Sequence, residues 1–323
     1  MVTRKNKPRG RFAPSPSGWM HLGNAWTALL TWLDIRKQGG AMVLRMEDLD
    51  PDRSRKEYAD GLMDDLRWLG LDWDEGPDVG GPYTPYAQSK RTALYQATFD
   101  KLTQVQLVYP CFCSRTELRS IALAPHAGDT EVPYSGRCEK LDAEAKARMA
   151  AQGRYPALRL RVGDAVVEFV DEVYGVQRQV LSQACGDFVI RRSDGVFAYQ
   201  LAVVADDADM KIDRILRGAD LLASTPRQIY IWRLLGLQPP TFVHVPLLLG
   251  NDGNRLSKRH GSLALAALRS MGIRPESVIG QLAVWAGLTE KVEALQAKEL
   301  IAAFDVSLLP RESIVVPDTL RFV

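Results

Sequence analysis

Long apolar runs are missing from this sequence. The richest stretches, Leu201–Ala205 and Val245–Leu249, are strand-sized, far short of the roughly 20 residues that a membrane-crossing helix requires. The first ten residues are polar and basic (Arg4, Lys5, Lys7, Arg9) with no apolar centre, so no signal peptide is expected. Cysteine is scarce: four in 323 residues are too few for a disulfide framework and imply a reduced, cytoplasmic setting. An excess of one charge is also lacking, with 41 basic against 39 acidic residues and a net charge of +2. A nucleic-acid partner would therefore have to meet a local basic face, because the global field is close to neutral. Internal repeats and low-complexity segments are absent too.

What is present suits a globular enzyme-sized chain. Apolar residues make up 46%, ample for a core, and the length predicts two units or one with a large insertion. Arg11–Ala13 reads as a short strand halted by the turn-rich Pro14-Ser15-Pro16-Ser17-Gly18. An apolar-periodic helix, Leu22 to Ile35, ends at Gly39-Gly40, and Met42–Met46 reads as a buried strand that delivers Glu47-Asp48-Leu49-Asp50. Strand, tight turn, helix and strand make a βαβ unit, which predicts a parallel sheet with its site at the carboxyl ends of the strands. Tyr58–Leu69 and Lys90–Leu107 are further amphipathic helices. Residues 111–184 differ in texture, with three of the cysteines, a Pro/Gly-rich loop and short alternating strands at Ala157–Val162 and Val166–Val170. The expected division is 1–110 and 186–262 as two halves of a nucleotide-binding α/β domain, 111–185 as an insertion, and 263–323 as a short helical segment. Within the second half, Asp187–Arg192, Tyr199–Ala205 and Val243–Leu249 read as strands around a helix from Thr225 to Leu235. Leu263–Met271 and Pro275–Leu288 are the clearest helices of the last segment.

Two short motifs carry the chemistry. His21-Leu22-Gly23-Asn24 opens the first helix, where outward-pointing N–H groups, a glycine that admits close approach and an imidazole donor suit phosphates. Alone, His-x-Gly better describes a capped helix with a surface histidine. Arg255-Leu256-Ser257-Lys258-Arg259 lies behind a Gly/Asn-rich loop after a strand. A mobile cationic loop of that kind neutralises charge on a departing pyrophosphate; alone it is also an ordinary solvated basic loop.

Together the two motifs resemble the signature pair of class I aminoacyl-tRNA synthetases. The likeness sharpens to the glutamyl branch through Arg11-Phe12-Ala13-Pro14-Ser15-Pro16-Ser17-Gly18, Arg45-Met46-Glu47-Asp48-Leu49-Asp50, Phe197 to Asp207 and Leu216-Arg217-Gly218-Ala219-Asp220-Leu221. The resemblance implies a Rossmann-like fold, ATP with Mg²⁺, and glutamate. ATP would meet His21, Gly23, Asn24, Arg255, Ser257 and Lys258, with His21, Asn24 and Lys258 acting on the reacting phosphates. Glutamate would meet Arg11, Ser15, Glu47, Tyr199 and Arg217: forked guanidinium donors suit its carboxylates, and Glu47 suits its ammonium. Glu47 has an alternative as an ion-pair partner of Arg53 or Arg55, and Tyr199 as a core residue. The sequence departs from the common pattern at Asn24, where many class I enzymes have His, and at Arg255-Leu256, where Lys-Met is usual.

Cys111, Cys113 and Cys138 offer three thiolates to a structural Zn²⁺, which takes four ligands. Chemistry alone nominates His126 as the fourth. The stretch Tyr134-Ser135-Gly136-Arg137-Cys138 instead resembles the zinc site of one subfamily, the glutamyl-Q tRNA(Asp) synthetases, which implies Tyr134 as the ligand. Cys185 reads as a small core residue. About sixty residues follow Ser262, too few for an anticodon-reading domain by ordinary domain size. The short tail, with Tyr134 and Cys138, favours that subfamily, and the resemblance then implies formation of glutamyl-adenylate without tRNA and transfer of glutamate to queuosine in the anticodon loop of tRNA(Asp); a monomer is expected. Rival expectations are a truncated glutamyl-tRNA synthetase, a small-molecule nucleotidyltransferase and a non-catalytic RNA-binding relic.

Overall fold

The computed structural model describes residues 7–114, 117, 133–254, 256, 263–317, 320 and 322. Strand β1 (Arg9–Phe12) leads through the Pro/Ser turn into helix α1 (Leu22–Lys37), which returns to β2 (Ala41–Leu44). β1 and β2 pair in parallel, Arg9 opposite Ala41 and Phe12 opposite Leu44, as the βαβ pattern requires. Helices α2 (Lys56–Trp68) and α3 (Thr92–Gln104) follow.

The main sheet has six strands in the order β2-β1-β8-β9-β5-β6, where β8 is Arg214–Gly218, β9 is Thr241–Val245, β5 is Val166–Asp171 and β6 is Gly175–Val180. All pairings are parallel except the β5–β6 hairpin. Its two faces bury separate cores. Phe12, Leu44, Leu216 and Val243 face α1 and the C-terminal helices Leu265–Ser270 and Pro275–Trp285. Val43, Ile215 and Phe242 face α3 and the helices Tyr199–Asp209 and Thr225–Leu234. Period-two alternation therefore sets Arg11, Arg217 and His244 on the second face, in step with Val43, Ile215 and Phe242.

Three expectations are corrected. Tyr199–Ala205 is not a strand but the opening of the helix Tyr199–Asp209. Its run is buried on every side, so it shows no helical period to separate it from a core strand. Residues 187–192 do not join the parallel sheet: β7 (Phe188–Arg191) pairs antiparallel with β4 (Ala157–Leu160), which pairs antiparallel with β3 (Val108–Cys111). Conversely, the β5–β6 hairpin of the expected insertion extends the main sheet through Asp171 opposite Phe242. Alternation shows which side of a strand is buried, not which sheet it enters.

The last segment packs onto the first core. Gly280 allows this closely, since a Cβ built there would lie 1.7 Å from the Glu293 carbonyl oxygen. Beyond it, β11 (Ile314–Val315) pairs in parallel with β10 (Leu248–Leu249). Among the described residues no helix is long and apolar enough to cross a membrane.

Candidate active site

The carboxyl ends of β1, β2 and β8 open on a cleft of about 520 Å³ whose walls include Arg11, Ser15, His21, Asn24, Glu47, Tyr199 and Arg217. Seven residues that the sequence singles out thus converge on one cavity. Arg255, Ser257 and Lys258 lie outside the described residues. Their neighbour Leu256 is buried, and its Cβ would stand 3.7 Å from a Cβ built on Gly23.

At the start of α1, His21 is the N-cap. Its Nδ1 accepts from the Gly23 amide at 3.1 Å, while the Asn24 side-chain oxygen accepts from the His21 amide at 3.2 Å. This reciprocal pair satisfies two of the donors that a helix start leaves open. Acceptance at Nδ1 places the proton of the neutral ring on Nε2, making that nitrogen the donor. The capped-helix reading and the cleft-lining position hold together. A Cβ on Gly23 would stand 3.1 Å from the imidazole, so the capping ring would have to shift by a few tenths of an ångström to admit one.

The floor of the cleft is a buried ion network. Asp207 accepts from Arg11 Nε at 3.2 Å and from Arg45 Nη1 at 2.7 Å. Arg45 reaches Glu47 at 3.1 Å and approaches Asp206 at 3.6 Å. Asp206 is held further by Arg91 at 2.7 Å, Gln88 at 2.7 Å and the Tyr95 hydroxyl. Glu47 therefore pairs with Arg45, and neither Arg53 nor Arg55 is its partner. Burial pushes the Glu47 carboxyl above its usual range, and attraction to Arg45 and Arg11 only partly offsets this. Burial also acts on Asp207, but Arg11 and Arg45 outweigh it and hold that carboxyl below its usual range. Tyr199 is pushed up by burial and by the negative charge of Glu47.

Arg217 is different. Nε donates to His244 Nε2 at 3.0 Å and Nη2 to Thr225 Oγ1 at 2.7 Å, while Nη1 is buried with no hydrogen-bond partner. Burial, reinforced by Arg11, draws its pKa down. A buried cation with an open donor on a cleft wall is chemically suited to an anion.

Apart from the cleft, Cys111, Cys113 and Cys138 place their sulfurs within 4.8 Å of one another. Cys113 Sγ lies 3.4 Å from Cys138 Sγ, and the Tyr134 hydroxyl lies 3.4 Å from Cys111 Sγ and 3.7 Å from Cys113 Sγ. A tetrahedral zinc with Zn–S bonds of about 2.3 Å spaces its sulfurs about 3.8 Å apart, so the four donors fit such an ion. His126 lies outside the described residues. Cys185 is buried in the second core; its carbonyl accepts from the Tyr134 amide at 3.2 Å, but its sulfur is not part of the three-sulfur cluster.

Arg45, Asp206 and Asp207 stand in motifs quoted above, yet their pairing was not anticipated, nor was any part for His244, Asp171 or Thr225. A signal existed for the first group. Arg45 and Glu47 are two apart in extended chain and so share a side, and two acids closing a fully apolar run must find buried cations.

The parallel sheet, the helix-start histidine and the cationic cleft define a nucleotide-binding class I synthetase core. The family described as tRNA synthetases class I (E and Q), catalytic domain, matches residues 7–319, and the chain belongs to it, an ATP-dependent ligase by class. The chain is 52% identical to a glutamyl-Q tRNA(Asp) synthetase of Nitratidesulfovibrio vulgaris, over 96% of this chain and 95% of that one. It is 43% identical to glutamate–tRNA ligase 2 of Syntrophus aciditrophicus, over 93% of this chain but 62% of that one. The crystal structure of a glutamate tRNA ligase from Elizabethkingia meningosepticum in complex with its amino acid superimposes with a TM-score of 0.81 at 27% identity, covering 96% of this chain and 67% of that one.

Replacing Arg45 by Met should cost about 3–5 kcal/mol of unfolding free energy in a denaturant titration, because three buried carboxylates lose their shared cation. A loss below about 1 kcal/mol would show that the network contributes little to holding the cleft.

Proposed function

We propose that this protein activates glutamate with ATP in the absence of tRNA and transfers it to queuosine at the wobble position of tRNA(Asp), acting in the cytoplasm as a monomer. The observation that carries the reading is the convergence of Arg11, Arg217, Glu47 and Tyr199 on one cleft beside His21. Two guanidinium groups opposite one carboxylate complement the two carboxylates and one ammonium of glutamate. The buried open donor of Arg217 favours an anion there over a neutral amide.

In the reaction, Ser15 and Tyr199 add neutral hydrogen bonds to glutamate while Glu47 faces its ammonium. A glutamate α-carboxylate oxygen attacks the α-phosphorus of Mg-ATP, the bond to the bridging oxygen breaks, and pyrophosphate leaves with the electron pair. His21, Asn24 and the backbone at Gly23 orient the phosphates, and Arg255, Ser257 and Lys258 stabilise the charge that develops on the leaving group. The attacking carboxylate already carries its lone pair, so no side chain is needed as general base. A hydroxyl of the modified base then attacks the glutamyl carbonyl, the acyl–phosphate bond breaks, AMP departs, and the hydroxyl proton passes to the leaving phosphate or to water. Zinc held by Cys111, Cys113, Tyr134 and Cys138 would pin the neighbouring chain without entering the chemistry.

The choice of queuosine over a tRNA 3′ end rests on the 52% identity that spans nearly all of both chains for the glutamyl-Q relative, against 62% of the glutamate–tRNA ligase. Charging purified tRNA(Asp) with and without queuosine tests it: incorporation that requires queuosine and survives periodate oxidation of the 3′ end is expected. Incorporation abolished by periodate and indifferent to queuosine would make this an ordinary glutamate–tRNA ligase.

In ATP–pyrophosphate exchange, Lys258→Ala should lower the maximal rate with a smaller change in glutamate KM. Arg217→Ala should raise glutamate KM by roughly tenfold or more, the size expected for losing a hydrogen bond to a charged group. Equal effects of both variants on both constants would show these roles to be misassigned. For the metal, zinc at one equivalent is expected in the purified protein, with weaker retention against a chelator in Tyr134→Phe. Full retention in that variant would reassign the fourth ligand.

A further inference from the structure

Arginine only donates hydrogen bonds, and this settles the state of the groups behind Arg217. Its Nε lies 3.0 Å from His244 Nε2, so that ring nitrogen accepts. The ring proton is then on Nδ1, where Asp171 Oδ2 receives it at 2.7 Å. The same oxygen accepts the His244 amide at 3.0 Å, while Oδ1 accepts the Val173 and Tyr174 amides at 3.1 and 2.9 Å, so the carboxylate is fixed on every side. Thr225 Oγ1 lies 3.1 Å from the Leu221 carbonyl and 3.0 Å from His244 Nε2, both acceptors for its one proton, and its lone pairs accept from Arg217 Nη2 at 2.7 Å. His244, Asp171 and Thr225 are each at most 1% exposed.

The placement follows from the sheet. Arg217 and His244 are direct partners across β8 and β9, and Asp171 ends the next strand, β5. Three adjacent strands thus present an arginine, a histidine and an aspartate in a row on one face, with the Phe242 ring stacked 6.2 Å from the imidazole.

The geometry assigns His244, held by Asp171 in its Nδ1–H tautomer, as the positioning residue that fixes the Arg217 guanidinium and keeps its charge directed into the cleft. A carboxylate in direct contact would orient Arg217 equally well but would neutralise it. A neutral imidazole orients the guanidinium and leaves its positive charge for the substrate anion, while the negative charge of Asp171 stays one ring away. Burial, opposed by Asp171 but aided by Arg217 and Arg11, keeps the ring in its neutral form. The residue touches no substrate and acts through Arg217.

This inference rests on the reading of Arg217 as a glutamate contact, and one exchange assay separates the two. With L-glutamate, ATP and labelled pyrophosphate, His244→Phe should raise glutamate KM roughly tenfold or more, leaving kcat and ATP KM within about twofold. His244→Gln, which returns an acceptor oxygen near the Nε2 position, should restore glutamate KM to within about threefold of the parent. The parent's preference for L-glutamate over L-glutamine should fall in His244→Phe and persist in His244→Gln. Thr225→Val, which removes the Nη2 acceptor together with the hydroxyl contacts to His244 Nε2 and the Leu221 carbonyl, should also raise glutamate KM and serves as the deciding variant if His244→Phe does not fold. Unchanged glutamate KM in the folded variants, or equal loss in His244→Phe and His244→Gln, would overturn the assignment. Absence of glutamate-dependent exchange in the parent protein would instead overturn the proposed function.

Discussion

Asp207 sits between two buried guanidinium groups, and the cleft takes its shape from that one carboxylate. Arg11 arrives from β1 and Arg45 from the chain leaving β2, while Asp207 comes from the helix across the sheet face. Charges removed from water are tolerated only when paired and fully hydrogen-bonded, so the three elements are locked at a common point. Arg45 has a second partner in Glu47, and this pair holds that carboxylate in the cleft with its pKa raised by burial. The ion network thus joins the framework of the sheet to the charges that line the cavity.

On the far wall the logic is reversed. Arg217 is oriented by neutral groups, His244 and Thr225, and keeps its charge. Arg11 is compensated by Asp207 and Arg217 is not, so the two arginines of the cleft are electrostatically unequal although they share one sheet face. The lone pair of each acceptor behind Arg217 is committed by geometry, which makes its open Nη1 a property of the fold rather than of a rotamer.

Much of the first half was legible because local signals agreed with one another. The Pro/Ser turn, the capped start of α1, the Gly39-Gly40 stop and the apolar run after it all point to one βαβ unit, and the observed bounds differ by only a few residues. The cleft residues were legible through the motifs that resemble the glutamyl branch, and His21 and Glu47 also because they lie at the ends of those elements, where side chains leave the core. What escaped was long-range. β8 has only Ile215 and Leu216 as its apolar centre between charged residues, too short a run to be read as a central strand. The helix Tyr199–Asp209 is apolar on all sides until its acids, so periodicity was silent. The Asp171–His244–Arg217 row depends on which strands become neighbours, and residues 171, 217 and 244 are linked by no local pattern. Sheet order is decided by burial and pairing across the whole chain, and the alternating stretches at 157–162 and 166–170 entered different sheets for that reason.

The central claim is that one cavity recognises a dicarboxylic amino acid through unequal arginines facing one carboxylate. A crystal structure of the protein with a non-hydrolysable glutamyl-adenylate analogue tests it most directly. The account predicts the α-ammonium within hydrogen-bond distance of Glu47, a substrate oxygen on Arg217 Nη1, and the phosphate beside His21. A glutamyl group bound elsewhere, or bound in the cleft with Arg217 Nη1 still untouched, would contradict it.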